Sequence, residues 1–522
     1  MLFSLPFSLP NIYIYFIIMV GFRRGFRKVR AFALFAVLLL VALVKIRSHR
    51  EGDKVDSEEF VKDTLFLEED SSVFDEDSLA AANPKPLDYS KIPTPQDALT
   101  CDAWLDREFE KSLSFIERDF SKNPVSVVGL ETRSWDSCDV PCKHSMTSEI
   151  MDAAMGPRRS NKIFTVVRNM ESSENYPQLA VDAAHSNGYD IVMTTSLKSD
   201  VPVGYFSWAE YDIMKPVTQK QPGNVAAAFI SNCGAINFRL KALEKLPTLG
   251  VPVDSYGKCN NNRESRGASK VDIISQYKFY LAFENSNEED YVTEKYLQAL
   301  VAGTVPIYIG APNIEDFEPQ PNSVIRVDSL DDVPNVASRI KYLMANETAY
   351  NEMLRWKKTG PTSKFLALVD MAVVHSSCRL CIHIATGIRG KELENSEASF
   401  QCRDPKSKKL TFYIQFRERG RFEYMDLKME IPMDFANAKP LQKLKGAIKS
   451  LLRETKHEPI WMSERPDHKK SFKNGQYNIY RIYPIGSNQR EALYGNAFFK
   501  NDLDLMQYLV KSPIPLLEII LV

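Results

Sequence analysis

Between Phe283 and Gly310 the chain reads FENSNEEDYVTEKYLQALVAGTVPIYIG. Its first twelve residues hold Glu284, Glu288, Glu289, Asp290 and Glu294, and Lys295 follows at once. Acid this dense would repel a phosphate held nearby. Whether it does depends on the elements that place it. Phe279 to Phe283 is a continuous apolar run, as expected of a buried strand, and Asn285, Ser286 and Asn287 break it. Ser286 and Glu289 have capping-box spacing and Thr293 is a second possible cap, so the spacing predicts a helix that begins within a few residues. Gly303 suits its left-handed end, and Val305 to Ile309 is the next strand. Such a βαβ unit crosses over right-handed and leaves its loop at the carboxyl edge of a parallel sheet, where open α/β sheets bind ligands. The helix N-terminus adds free N–H groups that attract phosphate. On this helix Thr293, Tyr296, Leu297, Leu300 and Val301 share the face that packs on the sheet; Glu294 borders that face and Lys295 lies nearly opposite. On spacing alone, Lys295 is a solvated lysine and Glu294 a partner of the helix dipole.

The rest of the chain must build the frame for this unit. At 522 residues it needs two or three domains, and with 44% hydrophobic residues and a net charge of -1 it is globular, with no global case for nucleic acid. Residues 1–22 carry no charge; Arg23, Arg24, Arg27, Lys28 and Arg30 then precede an apolar run from Ala31 to Val44. The excess of cations before that run predicts a single-pass anchor at 31–46, with residues 1–30 as an N-terminal segment and cytosolic tail and the body lumenal. Met19 is the expected start of translation. From Glu51 to Asp77 twelve acidic residues face Lys54 and Lys62, and prolines follow, so 47–100 is expected to be a disordered stem. Apolar runs at 162–170, 189–195 and 225–233 predict a first α/β domain over 101–265, and the unit around Glu284 lies in a second over 266–402. Strands alternating with helices make both doubly wound, with the site in the cleft between them. Residues 403–522 hold 22 Lys/Arg against 14 Asp/Glu and change texture to an α+β module with one clear helix around Leu441 to Leu452.

All eight cysteines lie beyond the stem, which in a lumenal body indicates disulfides, with no connectivity deducible. The competing pattern takes Cys138, Cys142, Cys378 and Cys381 as four zinc ligands. Asn346 heads the one glycosylation sequon, Asn346-Glu347-Thr348. No Asp-X-Asp follows a core strand and the seven histidines are scattered, so no metal ligand set is assigned.

The stretches FYLAFENS, DYVTEKYLQAL and GTVPIYIGAPN resemble the donor-binding signature of the alpha-1,3-fucosyltransferase family, glycosyltransferase family 10. The likeness runs on through FEPQPNSVI and back to ISNC (230–233), Arg239 and VDSYGKC (253–259). In the tail, RERGRFE (417–423) and IYRIYPIG (479–486) resemble the plant-type enzymes that fucosylate the N-glycan core. The resemblance implies a GT-B fold, whose second domain holds GDP-fucose while the first receives the acceptor. By the same resemblance Ser231, Asn232, Arg239, Asn285, Tyr291, Glu294 and Lys295 are donor-binding positions, Lys295 and Arg239 neutralising the diphosphate and Glu294 gripping ribose hydroxyls. MESSENYP resembles the element that supplies the base, which makes Glu171 the candidate and Glu174 its rival. SDVPVGYFSW (199–208) resembles a further block but departs from its longer form, and no contact is carried over there. The implied reaction is inverting transfer of L-fucose in alpha-1,3 linkage to the reducing-end GlcNAc of glycoprotein N-glycans at the Golgi membrane. Antennal Lewis-type alpha-1,3/1,4 transfer and an inactive glycan-binding scaffold are the alternatives. No cofactor is required in this scheme; a divalent cation would act only as a stimulant.

Overall fold

The computed structural model describes residues 87–95, 99–129, 133–135, 138–147, 151–156, 163–465 and 477–522. The expected tail, anchor and stem up to residue 86 lie outside the described residues. Among the described residues no single helix is long and apolar enough to cross a membrane.

The first sheet holds β1 (Val125–Val128), β2 (Arg133–Trp135), β3 (Cys142–Ser145), β4 (Ala153–Met155), β5 (Phe164–Arg168) and β6 (Ile191–Met193). Its order is β2-β3-β1-β4-β5-β6, parallel except where β2 meets β3. Among the described residues a single α-helix, Val181–Ser186, connects consecutive strands of this sheet, so it is less fully doubly wound than its strand pattern suggests. The second sheet holds β7 (Ala226–Ala228), β8 (Val253–Ser255), β9 (Phe279–Phe283), β10 (Val305–Ile309) and β11 (Ile325–Arg326), all parallel, in the order β11-β10-β9-β7-β8. Strand order reverses between β7 and β9, the switch point at which a doubly wound sheet opens a crevice.

Both faces of β9 and β10 are buried, which is why they read as unbroken apolar runs. Tyr280, Ala282 and Tyr308 pack under Tyr296, Leu297 and Leu300, while Phe279, Leu281, Val305 and Ile307 pack under Leu243, Val336 and Ile340. Each large apolar side chain so buried contributes about 1.5–3 kcal/mol.

The third sheet, β12 (Gln401–Asp404), β13 (Lys409–Glu418), β14 (Met425–Pro432), β15 (Ile479–Pro484) and β16 (Leu516–Leu521), runs β12-β13-β16-β15 with β14 also on β13. Only β13 and β16 are parallel. The Pro440–Glu454 helix covers it through Leu444, Ile448 and Leu452, as the α+β expectation requires.

The division of the chain differs from the expected one in three places. The 225–233 run, assigned to the first domain, forms β7 inside the second sheet, between β9 and β8, so the sheets part between Met193 and Ala226 rather than near residue 265. Local alternation of strand and helix is the same on both sides of that break. The Ser376–Asn395 helix, expected with the second domain, returns to pack Leu380, Ile384 and Ala385 on Val125, Val127 and Val166 of the first sheet. Finally, residues 87–95 of the expected stem are ordered, burying Ile92 in the third-sheet core, and the Cys101–Leu113 helix stacks Phe109 on Tyr413. Apolar anchors at Leu87, Tyr89 and Ile92 outweigh the acidic composition upstream.

The cysteines form four bridges, Cys101–Cys402, Cys138–Cys378, Cys142–Cys381 and Cys233–Cys259. The four cysteines of the zinc alternative meet as two separate pairs, with His144 beside Cys142 and Cys381. They are joined in two disulfides, so their thiolates are not available as ligands.

Candidate active site at the switch point of the second sheet

β9 ends at Phe283, and the Glu284 amide still donates to the Ile309 carbonyl at 2.7 Å. The side chain of Glu284, fully buried, then turns to the start of the next helix. Its Oε1 accepts from the Thr293 amide and hydroxyl, both at 2.8 Å, and its Oε2 lies 3.0 Å from Lys295 Nζ. Thr293 caps the Glu294–Ala302 helix, so the cap that forms is the second of the two expected, and Gly303 closes the helix in the left-handed conformation (φ 60°) as expected. Glu284 thereby ties the two ends of the 285–292 loop together, strand to helix. Gly310 makes room for it, because a Cβ there would fall 2.7 Å from Glu284 Cγ and 2.5 Å from the Tyr308 hydroxyl.

Lys295 is not the solvated lysine that helical phase alone suggests. Its ammonium meets Glu284 at 3.0 Å, Glu294 at 3.2 Å and the Thr293 hydroxyl at 2.9 Å. Burial would lower its pKa, but the two carboxylates more than offset that and raise it. Burial pushes the Glu284 carboxyl up while Lys295 and Thr293 pull the other way. Three donors are aimed at it, the Thr293 amide and hydroxyl and the Lys295 ammonium, and the net shift is still upward. Burial works against the Glu294 carboxylate too, yet Lys295, Thr293 and Lys270 together hold it below its usual range.

Arg239 begins the Arg239–Thr248 helix and is 3% exposed. Its Nη1 donates to the Phe283 carbonyl at 3.2 Å and its Nη2 to the Asn232 carbonyl at 2.6 Å, which ties the ends of β9 and β7 together across the switch point. It underlies the site as a fixed positive charge rather than standing open in it. Ser231 and Asn232 are exposed on the loop after β7; the Asn232 side chain accepts from the Gly234 amide at 3.0 Å. Asn285 is half-buried beside Ser286.

The first sheet supplies the opposing lip. Glu171, exposed on the loop after β5, accepts from the Tyr291 hydroxyl at 3.2 Å. Burial first, then Glu284 and Glu171, pushes Tyr291 up, so it remains a donor. Glu174 instead accepts from the Asn287 amide at 3.0 Å and serves the loop. The two carboxylates that the sequence could not separate thus have different surroundings. Asn346 caps the Glu347–Glu352 helix through its Oδ1, well apart in sequence from these residues.

Three participants escaped sequence reasoning. Lys270, held over the rings of Phe229 and Tyr280 at 5.6 and 5.7 Å, is pushed down to about 8 by burial and lies within electrostatic reach of Glu294. Tyr205, from the block at 199–208, donates to the Met170 carbonyl at 3.3 Å and is pushed up to about 12, by burial first and then by Glu171. Arg490 comes from the C-terminal module. The Glu288-Glu289-Asp290 run, which resembles a solvated rim, is in fact a hub. Glu288 receives the Ser173 amide at 2.6 Å. Glu289 pairs with Lys198 at 2.8 Å and Arg490 at 3.0 Å. Asp290, buried with φ 66°, accepts from the Leu197 amide at 2.9 Å, Asn313 at 2.9 Å and Arg490 at 3.0 Å. Only contacts distant in sequence give these acids their roles, so no local pattern could reveal them.

A family model described as glycosyltransferase family 10 (fucosyltransferase), C-terminal part, matches residues 217–396. The chain is 45% identical over 450 residues to a fucosyltransferase-like protein of Arabidopsis thaliana, covering 85% of each. Over shorter spans it is 38% identical to the glycoprotein 3-alpha-L-fucosyltransferase A of Drosophila melanogaster (31% of this chain, 34% of that one). It is 40% identical to the GDP-fucose protein O-fucosyltransferase 3 of Gallus gallus (27% and 32%).

Proposed function

The chain belongs to glycosyltransferase family 10, the fucosyltransferases, and from that premise we propose that it transfers L-fucose from GDP-β-L-fucose to O3 of the reducing-end GlcNAc of glycoprotein N-glycans, as a type II protein of the Golgi membrane. The observation that carries the reading is the meeting of Glu171 with Tyr291, on the loop that Glu284 and Lys295 brace. A base candidate beside one α/β sheet and a phosphate-suited cation of the other both act on the charge of the Tyr205 hydroxyl, which supports a shared site. The tail motifs and the likeness to a glycoprotein 3-alpha-L-fucosyltransferase support the acceptor.

Glu171 takes the proton from the acceptor hydroxyl as its oxygen forms the bond to C1 of fucose. On the opposite side the bond from C1 to the diphosphate breaks, so the β-linked donor gives an α-linked product through an oxocarbenium-like state. GDP leaves with the negative charge. Lys295 and Lys270 offset that charge as it grows, with Arg239 adding its fixed field from below, and they act most strongly where it is largest. Glu294, whose side chain is 34% exposed, is the carboxylate placed to accept ribose hydroxyls.

Glu171→Gln removes the base while keeping size and hydrogen bonding. The expected result is loss of transfer with GDP affinity, measured by calorimetry, unchanged within about twofold, close to what exposed, uncoupled substitutions cost. Near-normal turnover would move the base to another group, Glu174 first.

A further inference from the structure

The two tail motifs, 417–423 and 479–486, take no part in the cleft. Both border a separate cavity of about 280 Å3. One wall is a single face of the Ser376–Asn395 helix, on which Arg379, His383 and Thr386 follow at helical spacing. The floor is Arg417 and Glu518, paired across β13 and β16, with Arg419 two residues on. Asp200 to Pro202, just beyond β6, and the turn from Ile485 to Asn488 complete it.

Positive charge is in excess there. Arg417 donates to Glu518 Oε1 through Nε at 3.0 Å and Nη2 at 2.8 Å, and through Nη1 to the Thr386 hydroxyl at 2.9 Å. Arg419 reaches the other Glu518 oxygen only at 3.8 Å and donates to the Tyr483 hydroxyl at 2.8 Å. Asp200, which accepts from the Val192 amide at 2.7 Å and lies 3.2 Å from His185, is the second carboxylate, so Arg379, Arg417 and Arg419 face Glu518 and Asp200. Arg379 donates to two carbonyls, Val374 at 2.9 Å and Pro202 at 2.5 Å, rather than to a carboxylate. Burial, then the charges of Arg419 and Arg168, push its guanidinium down to about 9, the direction of a cation short of a counter-ion.

We propose that this cavity is an oxyanion site, which takes a phosphate, sulfate or carboxylate group between Arg379 and Arg419. Guanidinium groups converging on a cavity are the usual means of binding such a group. Because the walls come from the first sheet, the returning helix and the C-terminal module, a bound anion joins all three. A free ion and the acidic group of a sugar present the same chemistry, and the cavity, near nine times the roughly 30 Å3 share of a water molecule, admits either.

The test is thermal unfolding of the whole chain, with GDP saturating so that the donor site is filled. Inorganic phosphate and glucose 1-phosphate are titrated against chloride at equal ionic strength. Phosphate is expected to give a saturable rise in Tm that chloride does not, growing with ligand as binding linkage requires. A hexose phosphate that saturates at lower concentration identifies an anionic sugar as the ligand class, and one that saturates no earlier identifies the free ion. Arg379→Gln, and Ser487→Asp, which sets a carboxylate at the rim without removing an arginine, are both expected to lose the phosphate shift while keeping the separate shift due to GDP. A phosphate response equal to that of chloride, or one that survives Ser487→Asp, overturns the proposal.

Discussion

Glu171 and Glu174 stand three residues apart on one loop, yet one faces the Tyr291 hydroxyl and the other a backbone amide. That difference makes their substitutions unequal: Glu174→Gln should disturb the loop and lower turnover severalfold, whereas Glu171→Gln should stop it. Lys295→Ala is expected to weaken donor binding and turnover together by about 10- to 100-fold, the size of losing hydrogen bonds to a charged group. Steady-state kinetics with varied GDP-fucose would show both effects. Lys270 gives the site a pH dependence. Its value of about 8 is below that of an ordinary lysine, so its charge is lost early as pH rises. The KM for GDP-fucose should therefore climb above pH 8, and Lys270→Arg should flatten the climb; a KM indifferent to pH from 7 to 9 would remove Lys270 from the donor site. Glu294 and Lys295 were marked in the sequence only by resemblance to a local motif, since helical phase alone left one at the helix dipole and the other in solvent. Lys270 was not, since its place over Phe229 and Tyr280 is made by residues far apart in the chain.

At the scale of elements, both strands and the glycine end of the β9, helix and β10 unit were readable, while the helix start stood open between caps at Ser286 and Thr293. Continuous apolar runs and a glycine end leave little freedom. The assignment of β7 to a sheet was not readable, because three buried alanines fit either sheet equally. The hub at Glu288 to Asp290 is the functional consequence of packing that no local signal records. Arg490 reaches from the Gln489–Leu493 helix to Asp290, Glu289 and Asp316, at 3.0, 3.0 and 3.2 Å. It thereby fixes the residue just before Tyr291. Losing one partner of a partly buried charge cluster costs about 3 kcal/mol or more. Arg490→Ala should accordingly lower kcat tenfold or more by loosening the loop. Combined with Tyr291→Phe it should do little further harm, because both act on the same contact. Additive losses in that double-mutant cycle would make Arg490 a purely structural residue.

Over the whole molecule, the Cys101–Cys402 bridge closes a separation of 301 residues and ties the Cys101–Leu113 helix to the C-terminal module. Replacing both cysteines by alanine should lower stability by about 2 to 5 kcal/mol, seen as a lower Tm under oxidising conditions, while GDP binding at the proposed donor site persists. The even number of cysteines announced bridges, but only the fold brings 101 to 402 and 138 to 378 together. The C-terminal module, expected as an α+β unit with a basic excess, touches the 285–292 loop through Arg490 and is thereby joined to the second sheet. Transfer to the N-glycan core is tested by incubating the protein with GDP-fucose and a defined N-glycopeptide, followed by linkage analysis of the product. One fucose, α-linked to O3 of the GlcNAc attached to asparagine, is expected. Fucose found on antennal GlcNAc or on a peptide hydroxyl, or no transfer at all, would contradict it.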